Sequence, residues 1–222
     1  MKNYKIKKML KKATLLGVLF LSVTMSFAQG SAKAKTLLDE VSKKMNSYEN
    51  SYIEFRYSMD NEKEEVHQET KGNASLKGDF YSLNYMGTTQ IFDGKKIYTI
   101  MDEDEEINIS DPDEEEDVTP AKLFSFYKKG FTYEWDIVQN VAGRKIQYVK
   151  LIPIDSKSEL KYVLLGIDSK TKNIYKVIQN INNGTKISIT ITKFKSNIEM
   201  SDKMFQFDRK KYEDAGFIIN DL

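Results

Sequence analysis

The chain has 222 residues, with 34 basic and 33 acidic side chains, three prolines and no cysteine. Without a thiol it forms no disulfide, no thiolate metal site and no cysteine-linked lipid anchor, so packing alone holds the fold. Beyond residue 28 the count is 28 basic against 33 acidic side chains, a net of about −5, and the basic residues form no stripe, which argues against nucleic acid as a partner.

The first 28 residues read as a cleavable secretory signal. Six lysines and no acid fall within Met1–Thr14, and an apolar stretch runs from Leu15 to Ala28, ending in Ser26-Phe27-Ala28. The stretch is shorter than the about 20 residues of a membrane span. The expected organisation is therefore a signal peptide over 1–28 and a single domain over 29–222, a monomer exported to the periplasm.

In residues 33–48 the apolar side chains Ala34, Leu37, Leu38, Val41, Met45 and Tyr48 recur at helical spacing, which predicts a surface helix with one greasy stripe. Nearly everything after it reads as strand. Ile53, Phe55, Tyr57 and Met59 alternate with polar residues, as do Phe131, Tyr133, Trp135 and Ile137, and Ile187, Ile189 and Ile191. The runs 97–101, 163–167 and 174–178 are apolar on both faces, so something is expected to cover both sides. Asp93-Gly94, Ala142-Gly143 and Asn183-Gly184 supply hairpin turns. Roughly ten or eleven strands in sequential antiparallel order follow, with no crossover helices, which argues against a parallel sheet.

Residues 102–117 hold eleven Asp or Glu out of sixteen, and they read as a solvated loop. The spaced Asp-x-Asp-x-Asp-Gly ligand pattern of a calcium loop is missing, and docking of a cationic partner is the other reading. Thr119-Pro120 then opens a second helix over 119–129, with Leu123, Phe124 and Tyr127 on one face and Gly130 at its end. Two amphipathic helices and a long curling sheet are economically combined by laying the helices across the concave face. If the curl stays open, a greasy cavity forms between helices and sheet; the same residues can equally close into a dry core.

Catalytic signals are weak. The single histidine, His67, lies in a polar run, and neither a phosphate-binding glycine loop nor a cysteine nucleophile exists. No metal and no cofactor are expected.

Several segments together resemble the periplasmic outer-membrane lipoprotein carrier family, the LolA type. They are Leu37-Leu38-x-x-Val41 leading into Ser51-Tyr52-Ile53-Glu54-Phe55, Gly78-Asp79-Phe80 with Tyr85, and Asp93-Gly94-Lys95-Lys96-Ile97-Tyr98. Thr119-Pro120-Ala121-Lys122-Leu123, Leu151-Ile152-Pro153, and Phe194-x-x-Asn197 with Phe205-Gln206-Phe207 complete the order. The resemblance implies an unclosed antiparallel barrel lidded by helices, whose inner face holds the acyl chains of lipoproteins. It further implies cargo received from an inner-membrane lipoprotein-releasing transporter and passed to an outer-membrane acceptor. Candidate cavity or lid contacts are Phe55, Phe80, Leu83, Tyr85, Ile91, Tyr98, Leu123, Phe124 and Tyr127.

One departure stands out. The family places an arginine beside a proline before the phenylalanine of this segment and uses it in lid control; here the segment reads Leu76-Lys77-Gly78-Asp79-Phe80. Lys77 keeps the charge without the guanidinium fork. Apolar positions switch from even (Leu76, Phe80) to odd (Leu83, Tyr85) near Gly78, which predicts a bulge or bend and leaves the inward face open. A lipid- or lipoprotein-sensing module of the same fold, and a secreted hydrolase on a β scaffold, are the alternative functions.

Overall fold

The structure is a computed structural model that describes residues 30–112 and 125–222. The segment read as a signal, and most of the expected second helix with Leu123 and Phe124, lie outside the described residues.

Residues 30–45 form helix α1. Its stripe is buried as the spacing requires: Ala34 and Val41 are fully covered, and Leu37 and Leu38 nearly so. An isolated helix of this length is marginal in water. Burying Leu37, Leu38 and Val41 stabilises by about 1.5–3 kcal/mol each, so docking decides that the segment is helical. The expected helical end at Tyr48 is instead a turn, because Tyr48 swings out to donate its hydroxyl to Asn173 Oδ1 at 3.2 Å.

Twelve strands follow: β1 (Asn50–Asn61), β2 (Val66–Lys77), β3 (Phe80–Tyr85), β4 (Thr88–Phe92), β5 (Ile97–Met101), β6 (Glu106–Ser110), β7 (Phe131–Val141), β8 (Arg144–Pro153), β9 (Leu160–Asp168), β10 (Ile174–Ile181), β11 (Lys186–Ser196) and β12 (Ile218–Asp221). They form one sheet in the order β12-β6-β5-β4-β3-β2-β1-β11-β10-β9-β8-β7. The edges β12 and β7 do not pair, so the sheet is an unclosed barrel.

Two expectations need correction. The order is not sequential: β1 lies mid-sheet, paired antiparallel with both β2 and β11, so two antiparallel meanders meet at β1. One pair, β12 with β6, is parallel. Parallel pairing needs a long connection, and residues 197–217, with the short helix α2 (Arg209–Asp214), provide the return to this edge.

The change of parity near Gly78 is a hairpin and not a bulge. β2 ends at Lys77, β3 begins at Phe80, and Lys77 pairs with Phe80. Gly78 has φ +58°, the conformation that the first central position of a type II′ turn reserves for glycine. The Ala142-Gly143 turn has φ +48° and +77°, the I′ pattern.

The sheet has a core on each face. On the inner face, under α1, Ile53, Leu76, Tyr81, Val149, Leu151, Val163, Leu165, Ile167 and Val177 are buried with the helix stripe. On the outer face Ile91, Ile100, Ile107 and Ile109 form a second cluster, covered by Phe207, Tyr212, Phe217 and Ile219 of the C-terminal segment. This second cover explains why β5 is apolar on both sides.

Close approach fixes one glycine. A Cβ on Gly72 would lie 2.4 Å from Phe55 Cζ and 2.7 Å from the Asn84 carbonyl oxygen, so the absent side chain makes room for the Phe55 ring across β2. Gly72→Ala is expected to lower stability by about 1–3 kcal/mol, the range for overpacking. A urea midpoint followed by the fluorescence of Trp135 measures this; an unchanged midpoint would mean the Phe55 ring is free to move aside.

Candidate functional site

Paired residues share a face of a sheet, so the register sorts every candidate. Phe55 pairs with Gly72, Gly72 with Tyr85, and Ala74 with both Ile53 and Leu83. Phe55, Leu83 and Tyr85 therefore lie on the inner face, and Tyr127, in a 3-10 turn at Phe126–Lys128, joins the same core. Phe80, Ile91 and Tyr98 lie on the outer face instead. Phe80 stands opposite Lys77, with its ring 6.2 Å from that of Phe205. Ile91 belongs to the second cluster, and Tyr98 stacks on Phe207 at 4.5 Å. Lys77 is on the outer face too, ion-paired with Asp202 of the C-terminal segment and not with a helix over the inner face.

The inner face is graded. Beneath α1 it is buried and mainly aliphatic. Next comes a band of half-buried residues, Tyr57, Leu83, Tyr85 and Phe92, packed against that core. The rings of Tyr57 and Tyr85 meet edge to face at 5.2 Å, those of Phe55 and Tyr85 lie 6.2 Å apart, and Phe92 lies 5.7 Å from Tyr81. Beyond the band, Thr88, Gln90, Thr99 and Asn108 continue the same face across β4, β5 and β6. Tyr81 donates its hydroxyl to Gln90 Oε1 at 2.8 Å, joining the aromatic and polar zones. Tyr57 and Phe92 were not among the sequence candidates, although the alternation through Ile53 and Phe55 already places Tyr57 in line with them.

A cleft of about 330 Å³ opens between the end of α1 and the β2–β3 turn, lined by Met45, Tyr48, Ser51, Leu76 and Gly78 among others. It adjoins the inner core at Leu76.

The site holds little acid–base chemistry. His67 is exposed on the outer face against Asp60, and among the described residues no hydroxyl nucleophile meets its ring. Among the described residues no cluster of three His, Asp or Glu side chains could hold a metal ion. The Tyr127 hydroxyl is buried with no hydrogen-bond partner among the described residues, and burial pushes its pKa well above the usual phenol range. Burial, helped by a hydrogen bond to Tyr57, pushes Tyr85 up to about 12. Burial, together with the hydrogen bond donated to Asp93 Oδ2 at 2.8 Å, likewise pushes Tyr98 up to about 12.

These phenols bind their protons more tightly in the folded than in the unfolded chain. The stability they contribute is complete below the ordinary phenol pKa of 10.0 and is lost as pH rises through about 12. An ultraviolet phenolate titration should show Tyr85 and Tyr98 ionising late, ahead only of the more deeply buried Tyr127, with Tyr85→Phe and Tyr98→Phe each removing one phenol from the late phase at about 12. If both variants leave the late phase intact, the assignment is wrong.

Comparison with known proteins places this geometry. The family model described as outer membrane lipoprotein carrier protein LolA matches residues 52–208. An uncharacterized conserved protein from Thermus thermophilus has a similar fold, with TM-score 0.53 and 8% identity over 86% of this chain and 99% of that one. A LolA superfamily protein from Nitrosomonas europaea overlaps with TM-score 0.43 and 10% identity, over 78% of this chain and 97% of its own. LprF from Mycobacterium bovis overlaps with TM-score 0.47 and 10% identity, over 78% and 97%. No curated protein sequence matches the chain. Since the family model spans well over half of the residues, the chain belongs to the outer membrane lipoprotein carrier protein family.

Proposed function

We propose that this protein is a periplasmic carrier that shields the acyl chains of lipoproteins on the inner face of its sheet. It would take them from an inner-membrane transporter to an outer-membrane acceptor, without catalysis. Membership of the carrier family supports this reading. The single observation that carries it is the half-buried band of Tyr57, Leu83, Tyr85 and Phe92, continuous with a buried core on one side and a polar strip on the other. An acyl chain laid on that band gains apolar contact, while its polar end stays among hydroxyls and amides. Export by the N-terminal segment 1–28 fits the same reading.

Energetics require the cargo to be held incompletely. Three chains of about 16 carbons, at about 0.8 kcal/mol per methylene, offer some tens of kcal/mol on full burial. Reversible affinities saturate near roughly −18 to −21 kcal/mol. A carrier must stay weaker than that to release its load, and a half-covered band suits the requirement better than a closed cavity does.

Phe55, Leu83, Tyr85 and Tyr127 are the contacts this reading retains from the sequence candidates. Phe80, Ile91 and Tyr98, which face the other way, are not cargo contacts in it. Lys77 ties the β2–β3 turn to the C-terminal segment and in this reading is not a lid latch.

Native mass spectrometry of the secreted protein with a triacylated lipoprotein, and with the same lipoprotein lacking its acyl chains, tests the proposal. The expected result is a one-to-one complex with the acylated form only. Leu83→Glu should weaken it at least about tenfold, because about 1.4 kcal/mol suffices for that factor and burying an unpaired carboxylate costs more. No complex with either form would end the carrier reading.

A further inference from the structure

The two faces of the sheet differ in what covers them. α1 lies over the inner face, and the C-terminal segment covers the outer face only toward β3–β6. Among the described residues nothing of that kind covers the outer face of β1, β2, β10 and β11, and its composition does not match that of the chain as a whole.

Following the register, and setting aside Lys77, which Asp202 neutralises, the outward residues there include six cations: Arg56, Lys71, Lys176, Lys186, Lys193 and Lys195. Arg56 pairs with Lys71 across β1–β2 and with Thr190 across β1–β11, and Thr190 pairs in turn with Lys176. Three carboxylates share the face, Glu54, Asp60 and Glu69. Each is already engaged, by Lys193, His67 and Arg56 respectively. Among the described residues Lys71, Lys176, Lys186 and Lys195 have no carboxylate within ion-pair distance. The chain beyond residue 28 is net acidic, yet this face carries an excess of three positive charges.

Aromatic side chains interleave with the cations. Lys193 lies 5.9 Å from the Tyr52 ring centroid and Lys150 lies 5.2 Å from that of Tyr162, both on the outer face. At the rim the Arg144 guanidinium lies 4.9 Å from the Tyr175 ring centroid. Tyrosine rings beneath basic heads suit the headgroup layer of a bilayer, where an apolar body and a polar tip are both accommodated. Burial, with Lys186 and Arg56 close by, also holds the Lys176 ammonium below its usual pKa, so the cations crowd one another. An anionic surface relieves that crowding.

We propose that the outer face of β1, β2, β10 and β11 is a docking surface for a bilayer rich in anionic phospholipid headgroups. Docked this way, α1 and the cleft beside it face away from the lipid, and the molecule is held at the membrane by charge with no insertion. The proposal concerns a different face from the cargo band and is independent of the carrier reading.

The test is sedimentation of the purified protein with two kinds of vesicle, phosphatidylcholine alone and phosphatidylcholine mixed with phosphatidylglycerol. Binding is expected only to the second kind. It should vanish as salt is raised toward about 1 M, where the Debye length is about 3 Å. Lys71→Gln and Lys195→Gln replace exposed side chains, so the fold is not at issue, and each should weaken binding about fivefold. Lys33→Gln and Lys43→Gln, on the exposed side of α1, should change nothing. Equal binding to both vesicles, no binding to either, or equal effects of the two pairs of substitutions would overturn the proposal. Cargo capture measured on the same variants stays intact if only membrane docking is lost, which separates this proposal from the carrier reading.

Discussion

The pairing of β1 with β11 is the contact on which the rest depends. Without it the chain is two antiparallel meanders, β1–β6 on one side and β7–β11 on the other. With it they become one sheet of twelve strands when β12 joins the far edge. The partners are remote in sequence: Phe55 sits opposite Ile191. Closing such a loop costs roughly 4 kcal/mol beyond a constant. What offsets that cost is the inner core itself, because Ile53, Phe55 and Ile191 are buried together with Val177, Leu165 and Val149 from the strands beyond. The seam and the core under α1 are thus one cooperative unit. At the bulge beside the seam, the Thr192 hydroxyl donates to the Glu54 carbonyl at 3.0 Å, so the register irregularity leaves that oxygen satisfied.

What was legible in the sequence is local. The stripe of α1, the hairpins at Asp93-Gly94, Ala142-Gly143 and Asn183-Gly184, and the alternation in β1 and β11 are set by spacing and turn chemistry, and all stand in the structure. The mainly β class was legible as well, and the unclosed architecture followed from the family resemblance. The partner of β1 was not, since nothing local to Phe55 names Ile191. β12 was missed because four residues, Ile218–Asp221, are too short to show a period, and its parallel pairing comes from the path of the chain before it.

The candidate site was half legible for a related reason. Apolar alternation says which residues share a face but not which face looks inward. In β3–β5 each face carries buried apolar residues, one set against the inner core and one against the C-terminal segment. Phe80, Ile91 and Tyr98 therefore carried the same signal as Leu83 and Tyr85. The Gly78-Asp79 hairpin decides between them, and read as a II′ turn it places Leu76 opposite Tyr81. Lys77 illustrates the same point: one residue from an inward leucine, it belongs to the other side of the sheet and to Asp202.

The two unpaired edges have a mechanical consequence. In a closed barrel, strand number and shear fix the radius, and widening the interior means breaking a ladder. Here β7 and β12 end the sheet without meeting, and neither invites a foreign strand: β12 is four residues long, and β7 is bulged between Trp135 and Val138. The Gln147 side chain donates to the Asp136 carbonyl within that bulge at 2.7 Å. Curvature is thus free to vary by small changes of twist spread over eleven ladders, each of which stays intact. Such a sheet has the mechanics of a leaf spring: its gape can widen or narrow with no hydrogen bond given up, against the resistance of α1 and the inner core.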